Sequence, residues 1–183
     1  MISLRIAPDP ILRKTAKKVT HVTDELRGII RQMYDLLYAA RGIGLGANMV
    51  GLLERIVIVD LQDGDHPKVT MINPVITWHS EEMQSNEEAS LCFPGISAEV
   101  TRPLEISVTY LDETGHEQTL QAAGWFAQVI QHEIDYLDGK IYLDYLSKMK
   151  RDRLMKKMEK YKKAEDNKHV HSSNCGPGCS VQH

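Results

Sequence analysis

The sequence predicts an α+β fold, because one chain carries both helical and strand patterns and two of the strands meet antiparallel. Apolar residues recur at helical spacing within residues 24–40, a β-branched run of strand length occupies residues 55–60, and the turn sequence at residues 112–115 joins two strands into a hairpin. The 183 residues suffice for one domain with a sizeable core. The composition, 42% hydrophobic and 26% charged, is that of a globular protein, and no apolar run reaches the length of a membrane span.

The first predicted helix covers residues 24–40, with Thr23 or Asp24 as its N-cap. A glycine-punctuated loop, GIGLGANM, follows at residues 42–49. It leads into RIVIVD at residues 55–60, whose nearly continuous hydrophobicity predicts a strand that is buried on both faces.

Three further strands are predicted. The first, at residues 69–72, is expected to end at an Asn-Pro pair, because proline cannot donate to a strand ladder. The other two, residues 105–111 and 116–121, form the hairpin around the DETG turn.

The pattern becomes helical again from Gly124. Trp125, Val129, His132 and Tyr136 form one stripe, so this helix is expected to lie inside the domain. Gly139 is its predicted end. A last helix is predicted at residues 144–166, on the surface, because its apolar stripe is narrow and most of its residues are charged.

The buried helix carries the sequence QHEIDY at residues 131–136, which nearly reproduces the H-E-x-x-H pattern. In that pattern two histidines on one helical face hold a metal, and the glutamate between them moves a proton. Here the second histidine is replaced by Tyr136. Either the chain uses an unusual ligand, or it keeps the frame of a metal site without the metal.

Three blocks occur in order along the chain: GIGLGANM at residues 42–49, EASLC at residues 88–92, and QHEIDYL at residues 131–137. They resemble the G-[IV]-G-L-A-A-x-Q, E-G-C-L-S and Q-H-E-x-D-H-L blocks of the peptide deformylases, which hydrolyse the N-formyl group from nascent polypeptides. The resemblance extends over residues 3–160. It implies antiparallel strands around a central motif-bearing helix, with a C-terminal helix on the surface.

The resemblance also implies site residues. The family's three metal ligands, a cysteine and two histidines, correspond to Ser90, His132 and Tyr136, so one ligand is retained. Glu133 corresponds to the family's general base, and the Leu91 backbone N–H to a donor toward the formyl oxygen. The family also has a glutamine that donates to this oxygen. Its counterpart here is Met49, whose side chain has no hydrogen-bond donor. The implied substrate-binding residues are Ile43, Gly44, Leu45, Met49, Trp125 and Gln128.

Two of these residues bear on the pocket for the first side chain of a peptide. Trp125 is bulky and Gln128 is polar. They predict a smaller or more polar pocket than methionine requires, unless both side chains point elsewhere.

The altered ligands predict a deformylase-like protein with a degenerate metal site, a pseudoenzyme that binds peptide N-termini or the ribosome. A neutral alcohol and a phenol do not readily replace a thiolate and an imidazole, so no cofactor is expected in the main site. One alternative is a hydrolase that performs metal-free acyl chemistry with Ser90, His132 and Glu133. Another is an active metal-dependent deformylase that binds Zn, Ni or Fe weakly. There Cys92 or the tail would supply a ligand, although Cys92 also suits a small buried position.

The C-terminal end offers two binding segments. Residues 148–163 hold nine lysines and arginines against two acidic residues, a net charge of +7, which suits ribosome or RNA contact or else a solvated face. Residues 1–166 are predicted to form the deformylase-like domain and residues 167–183 a flexible tail. The tail carries soft-metal donors or is simply disordered; the donors are His169, His171, Cys175, Cys179 and His183.

The predicted location is the cytoplasm, without a membrane partner. Three cysteines are an odd number and do not suit a disulfide framework, which favours reducing surroundings. The start of the chain lacks the apolar stretch of a signal peptide.

Overall fold

The computed structural model describes residues 2–172, with side chains through residue 167. The elements of this part are α1 Asp24–Ala39, β1 Gly44–Gly46, β2 Ile56–Val59, β3 Val69–His79, β4 Met83–Ala89, β5 Ser97–Pro103, β6 Glu105–Leu111, β7 Glu117–Ala123, α2 Gly124–Leu137 and α3 Lys148–Ser172. Short 3-10 turns lie at Pro10–Arg13, Ala47–Val50 and Tyr142–Tyr145.

The strands form two antiparallel sheets. The larger has the order β1-β2-β3-β6-β7, and the smaller pairs β4 with β5. Helix α2 packs against strands of both sheets and is buried along most of its length. The predicted α+β fold, with antiparallel strands around a central motif-bearing helix, is confirmed.

Helix α2 is held between two apolar clusters. Ile130 and Ile134 pack with the strands of the larger sheet, whereas Tyr136 belongs to the cluster that also contains Met33 and Ile58. Each fully buried aliphatic side chain of this kind contributes roughly 1.5–3 kcal/mol by leaving water. The helix therefore provides a rigid platform for the residues at its centre.

Several local predictions are confirmed. Helix α1 begins after Thr23, whose hydroxyl accepts a hydrogen bond of 3.2 Å from the Leu26 N–H. All four residues of β2 are buried, as the uninterrupted apolar run indicated. Helix α2 ends before Gly139, which has a φ of 71°.

Strand β3 is longer than predicted, because Asn73 bends it without ending it. Asn73 has a φ of 53°, and the register with β6 shifts between Ile72 and Val75, which marks a bulge. The Asn73 side chain accepts a hydrogen bond from the Val19 N–H and donates one to the Val19 carbonyl, each 2.8 Å long. This distant partner stabilises the bulge, and the strand continues to His79.

The hairpin of β4 and β5 was not predicted from sequence. Its residues are mostly polar and exposed, and its register places Glu88 opposite Ala98 and Gln84 opposite Arg102. Glu88 and Arg102 point inward and are 3% and 2% exposed. The hairpin therefore delivers a buried charge pair to the flank of α2.

Helix α3 begins at Lys148, later than the predicted residue 144, because Ser147 caps it and a 3-10 turn precedes it. Met158 is buried, and the Tyr161 ring covers Gly95, where a Cβ atom would lie 2.4 Å from the ring. The helix is thus docked on the turn after β4. The backbone remains helical to Ser172, and the tail side chains from His169 onward lie outside the described residues, so the domain boundary and tail metal site stay predictions.

Within residues 2–172, none of the helices combines the length and apolar character needed to span a bilayer.

Candidate functional site

A cleft of about 490 Å³ opens beside the centre of α2. The glycine-rich segment, the end of β4 and α2 form its walls. Nine of the predicted site residues line it: Ile43, Gly44, Met49, Ser90, Leu91, Trp125, Gln128, His132 and Glu133. Leu45, Cys92 and Tyr136 lie behind the walls and are fully buried. The structure therefore brings residues from three distant sequence blocks to one place.

The wall nearest β4 is built around the Glu88 carboxylate. Arg102 donates to both of its oxygens, over 2.6 Å to Oε1 and 3.0 Å to Oε2. The Gln128 amide donates to Oε1 over 2.5 Å, and the His132 ring contacts Oε2 at 2.7 Å. Although burial acts to raise it, the hydrogen bonds from His132 and Arg102 lower the pKa of Glu88 to about 2. Glu88 is therefore an ionised acceptor at neutral pH.

The charge of Glu88 fixes the orientation of His132. A carboxylate can only accept hydrogen bonds, so Nδ1 of His132 must carry the proton that it donates. In a neutral imidazole this leaves the lone pair on Nε2. No described residue forms a hydrogen bond with Nε2, and His132 lines the cleft.

The two other family ligand positions contact each other. The Tyr136 hydroxyl donates a hydrogen bond of 2.7 Å to Ser90 Oγ. The backbone N–H of Cys92 donates to the same oxygen over 3.2 Å. Both acceptor positions of Ser90 Oγ are thus occupied, and burial raises the pKa of the Tyr136 phenol well above its usual range. Tyr136 is a neutral donor at this site.

Glu133 lies next to this pair and lacks a full set of partners. It is 4% exposed, and its Oε2 atom has no hydrogen-bond partner in the described structure. Burial raises the pKa of Glu133 to about 7, with the nearby Glu88 charge acting in the same direction. Gly44 makes this placement feasible, because a Cβ atom there would lie 2.6 Å from Glu133 Oε1.

Two further features of the cleft concern backbone donors. The Leu91 N–H has no hydrogen-bond acceptor among the described residues and belongs to a residue that lines the cleft. The Met49 sulfur accepts from the Gly46 N–H over 3.3 Å, so Met49 turns inward and is 1% exposed. Leu91 therefore offers a free backbone donor among the residues that line the cleft.

The residues at the three ligand positions do not match the donor set of a catalytic metal. Such ions usually take three nitrogen, sulfur or carboxylate ligands. Here they are one imidazole, one alcohol and one neutral phenol. In the described part of the chain, no group of three histidine, cysteine, aspartate or glutamate side chains is arranged to hold a metal ion.

Cys92 does not restore a ligand to the cleft. Its side chain is fully buried, and burial raises the pKa of its thiol to about 12. It packs within the apolar cluster that contains Phe93 and Tyr142. Cys92 thus occupies the small buried position that the sequence allowed as an alternative.

Gln128 and Trp125 differ in how they shape the cleft. Gln128 is fully buried, donates to Glu88 and to the Val100 carbonyl, and accepts from Asn86 over 3.3 Å. Trp125 is 42% exposed at the mouth. The amide of Gln128 is therefore locked in the wall, and the indole of Trp125 is available to a ligand.

Sequence reasoning missed Glu88, Arg102 and Asp135 as a connected group. Arg102 also donates to Asp135 over 2.7 Å, and that carboxylate accepts from the Tyr145 hydroxyl over 2.7 Å. The available signal was one arginine in β5 and the second of two adjacent glutamates in β4. Their pairing depends on a strand register that no local pattern specifies.

The chain was compared with known proteins. The family model described as polypeptide deformylase matches residues 1–152. A peptide deformylase-like protein of Rickettsia conorii is 49% identical over 170 residues, which covers 92% of each chain. A peptide deformylase of Brucella suis is 41% identical over 159 residues and covers 86% of this chain and 91% of the relative.

Solved structures give the same result. The crystal structure of peptide deformylase from Ehrlichia chaffeensis superimposes with a TM-score of 0.84 and 33% identity, covering 90% of this chain and 98% of that one. A peptide deformylase from Legionella pneumophila gives a TM-score of 0.85 at 32% identity, covering 90% and 96%. The resemblance carried by the three sequence blocks is confirmed.

Proposed function

Since the chain belongs to the peptide deformylase family, we propose that its cleft binds the amino-terminal end of peptides without ordinary metal-dependent deformylation. The family acts on the N-termini of nascent chains and depends on a metal. The observation that carries the proposal is the hydrogen bond between Tyr136 and Ser90, because two former ligand positions satisfy each other. On this proposal the protein is a pseudoenzyme with a degenerate metal site.

The magnitude of the expected loss supports this proposal. A catalytic divalent ion lowers the pKa of its bound water from about 15.7 to about 7. With one imidazole in place of three ligands, the affinity for such an ion is expected to fall by orders of magnitude. Glu133 would then face plain water, which is a far weaker nucleophile than a metal-bound hydroxide.

The cleft nevertheless keeps groups suited to a peptide end. The Leu91 N–H is a free donor, and the buried Oε2 of Glu133 is a free acceptor. An amide of the peptide end would satisfy both, because its N–H can donate to Glu133 and its C=O can accept from the Leu91 N–H. Because an unsatisfied buried polar atom costs about 1–3 kcal/mol, a ligand that pairs with Glu133 gains affinity from the site.

The test combines binding with elemental analysis. Purified protein is incubated with Zn(II), Ni(II) or Fe(II), desalted, and assayed for bound metal and for turnover of formyl-Met-Ala-Ser. We expect substoichiometric metal and no turnover, with binding of Met-Ala-Ser or its formyl form in calorimetry. A stoichiometric ion together with turnover would instead identify an active metallo-deformylase.

A matched variant supplies the positive control. The double substitution Ser90→Cys, Tyr136→His restores a thiolate and a second imidazole at the family's ligand positions. Metal retention in this variant but not in the native chain would tie the loss to these two residues. Equal retention in both proteins would contradict the proposal.

A second binding surface, for the ribosome, is proposed on α3. A groove of α3 and β5 is lined by five basic residues and the 81% exposed Met149; the basic residues are Lys150, Arg153, Lys156, Lys157 and Lys160, and Ser97 lies at the β5 edge. Clustered positive charge attracts a polyanion by counterion release, so the association should weaken as salt increases. Ribosome co-sedimentation tests this.

The charge variant for that test is Lys156→Glu, Lys157→Glu, Lys160→Glu, which should abolish co-sedimentation. The control is Lys17→Glu, Lys18→Glu, an exposed pair outside the groove that should leave it intact. Association that is insensitive to salt, or equal in both variants, would refute the ribosome proposal.

A further inference from the structure

We propose that Ser90 is an acylatable nucleophile, and that the cleft transfers the acyl group of short apolar carboxylic esters to Ser90 Oγ and then to water, with His132 as the base. This activity needs neither a metal nor a peptide ligand. It is therefore independent of the peptide-binding function proposed above.

The first element is the orientation of His132. Glu88 holds Nδ1 at 2.7 Å, and Arg102 and Gln128 hold Glu88 in turn. This arrangement directs proton acceptance to Nε2, which has no partner among the described residues. A carboxylate that orients the imidazole behind a hydroxyl nucleophile is the third member of a catalytic triad. Glu88 acts here as a positioning residue, because it works through His132.

The second element is the hydrogen-bond state of Ser90. Tyr136 and the Cys92 N–H donate to both acceptor positions of Oγ, so only the hydroxyl proton remains to be donated. When that proton leaves, the oxygen gains a third lone pair for attack. The same two donors stabilise the alkoxide, because hydrogen bonds to a charged acceptor are about twice as strong as neutral ones.

On this proposal, the hydrogen bond between the nucleophile Ser90 and its base His132 forms when substrate binds. No direct hydrogen bond joins them in the described structure, although both line the cleft. Catalytic hydrogen bonds in free enzymes are often long and shorten in the substrate complex. A small shift of Ser90 toward His132, with Tyr136 and the Cys92 N–H still donating to Oγ, would direct the hydroxyl proton toward Nε2.

The third element is a donor for the oxyanion. The Leu91 N–H lacks an acceptor in the described structure, and Leu91 directly follows Ser90. The backbone N–H of the residue after the nucleophile forms half of the oxyanion hole in unrelated serine hydrolases. One such donor is worth a factor of about 10²–10³ in rate.

The reaction balances without a redox partner. Ser90 Oγ bonds to the ester carbon, its proton passes to His132 Nε2, and the carbon–oxygen bond to the alcohol breaks as that proton moves to the leaving oxygen. Water then attacks the acyl carbon, gives its proton to Nε2, and the bond to Oγ breaks as the proton returns to Ser90. The products are a carboxylic acid and an alcohol.

The lining of the cleft indicates the substrate class. Five apolar side chains line the cleft that holds Ser90, namely those of Ile43, Leu91, Pro94, Trp125 and Val129. They favour an apolar acyl group over a charged one. The cleft volume of about 490 Å³ accommodates a short acyl chain with its leaving group.

The experiment uses p-nitrophenyl butyrate on the full chain, with a chelator present to exclude metal chemistry. Intact-mass and peptide mass spectrometry should locate a butyryl group on Ser90, and nitrophenolate release should continue after the first turnover. Ser90→Ala should remove the adduct and lower the rate at least about 100-fold, and His132→Gln should lower it by a factor of about 10²–10⁴.

Two controls keep the outcome interpretable. Ser85→Ala removes an exposed β4 hydroxyl outside the cleft and should leave the rate unchanged. Ser90→Cys retains a nucleophile at the same position and should form a thioester adduct. The proposal is overturned if the native chain forms no adduct, if the adduct lies on another residue, or if Ser90→Ala turns over at the native rate.

Discussion

Two neighbouring walls of the cleft differ in how completely their charges are paired. Around Glu88, one guanidinium, one imidazole and one amide satisfy a carboxylate that is 3% exposed. Around Glu133, an equally buried carboxyl keeps one oxygen without a partner, and burial raises its pKa to about 7. The residues that link the walls, His132 and Glu133, are adjacent on α2.

This difference in pairing indicates that the residues around Glu88 have a structural role and that Glu133 responds to its surroundings. A fully paired buried charge fixes the geometry of its neighbours, because moving any member leaves another without a partner. An unpaired buried carboxyl destabilises the native state at pH values where it is ionised. The Glu88 wall is therefore expected to hold the site together, and the Glu133 wall is expected to react to ligands and pH.

Glu88→Gln should have the largest effect on this contrast. It removes the buried charge that pairs with Arg102 and leaves that guanidinium with Asp135 as its ion-pair partner among the described residues, and we expect a loss of about 3–5 kcal/mol in the free energy of unfolding. Urea denaturation at pH 7 measures it, with exposed Glu87→Gln as a control that should change stability by less than about 0.5 kcal/mol. A loss below about 1 kcal/mol would show that the pair is not structural.

The same carboxylate gives the native chain an acid dependence. The folded pKa of Glu88 is about 2 and its ordinary value is 4.5, so the folded state binds fewer protons. The stability that Glu88 contributes is complete above pH 4.5 and is lost as the pH falls toward 2. The difference between the native chain and Glu88→Gln should therefore shrink on acidification.

Glu133→Gln should change the free energy of unfolding in the opposite direction and stabilise the protein. The folded pKa of Glu133 is about 7 against an ordinary 4.5, so its ionisation destabilises the fold as the pH rises through 7. Replacing it should stabilise the protein by up to about 3 kcal/mol at pH 8, and the gain should vanish near pH 4. Denaturation curves at both pH values test this, and a pH-independent difference would contradict it.

Gln128→Leu should destabilise the hydrogen-bonded group around Glu88 by removing one of its members. It removes one donor from Glu88 and the acceptor of Asn86, while the side-chain volume is nearly kept. Leaving buried polar atoms unsatisfied costs about 1–3 kcal/mol. Thermal unfolding measures this loss, and Gln84→Leu is a comparison on a half-buried amide of β4 that does not contact Glu88. An equal loss in both variants would argue against a special role of Gln128.

Tyr136→Phe should have the smallest effect. It removes only the hydrogen bond to Ser90, and a loss of about 1 kcal/mol is expected. Tyr142→Phe, which gives up a longer bond of 3.4 Å to the Ile96 carbonyl, should cost less in the same urea titration. If the two losses were reversed, the bond to Ser90 would not be the stronger one.

The sequence was sufficient for the elements that follow a regular period. Helix α1, strand β2 and the hairpin of β6 and β7 bury one clear face or both, so apolar spacing reveals them. The continuation of β3 past Asn73 was not predictable, because it depends on hydrogen bonds to Val19, 54 residues earlier in the chain. Burial alternates along β4 and β5, but the inward residues of β4 and Arg102 of β5 are polar, so apolar spacing does not reveal these strands.

The candidate site divides in the same way. His132, Glu133 and Tyr136 share one helix, so their proximity follows from helical geometry and the family blocks. The contact between Glu88 and His132 joins residues 44 positions apart and depends on how the hairpin packs on α2. For this reason the motif was visible in the sequence and the carboxylate that orients it was not.

The contact between the Tyr161 ring and Gly95 fixes the orientation of the cleft relative to α3. Pro94, one residue earlier, borders the cleft, so a single short turn joins its rim to the basic helix. If α3 binds the ribosome, this turn keeps the opening of the cleft at a fixed distance and direction from the binding surface. The N-terminus of a nascent peptide would then be present near the cleft at a high effective concentration, so that even a weak affinity suffices for binding.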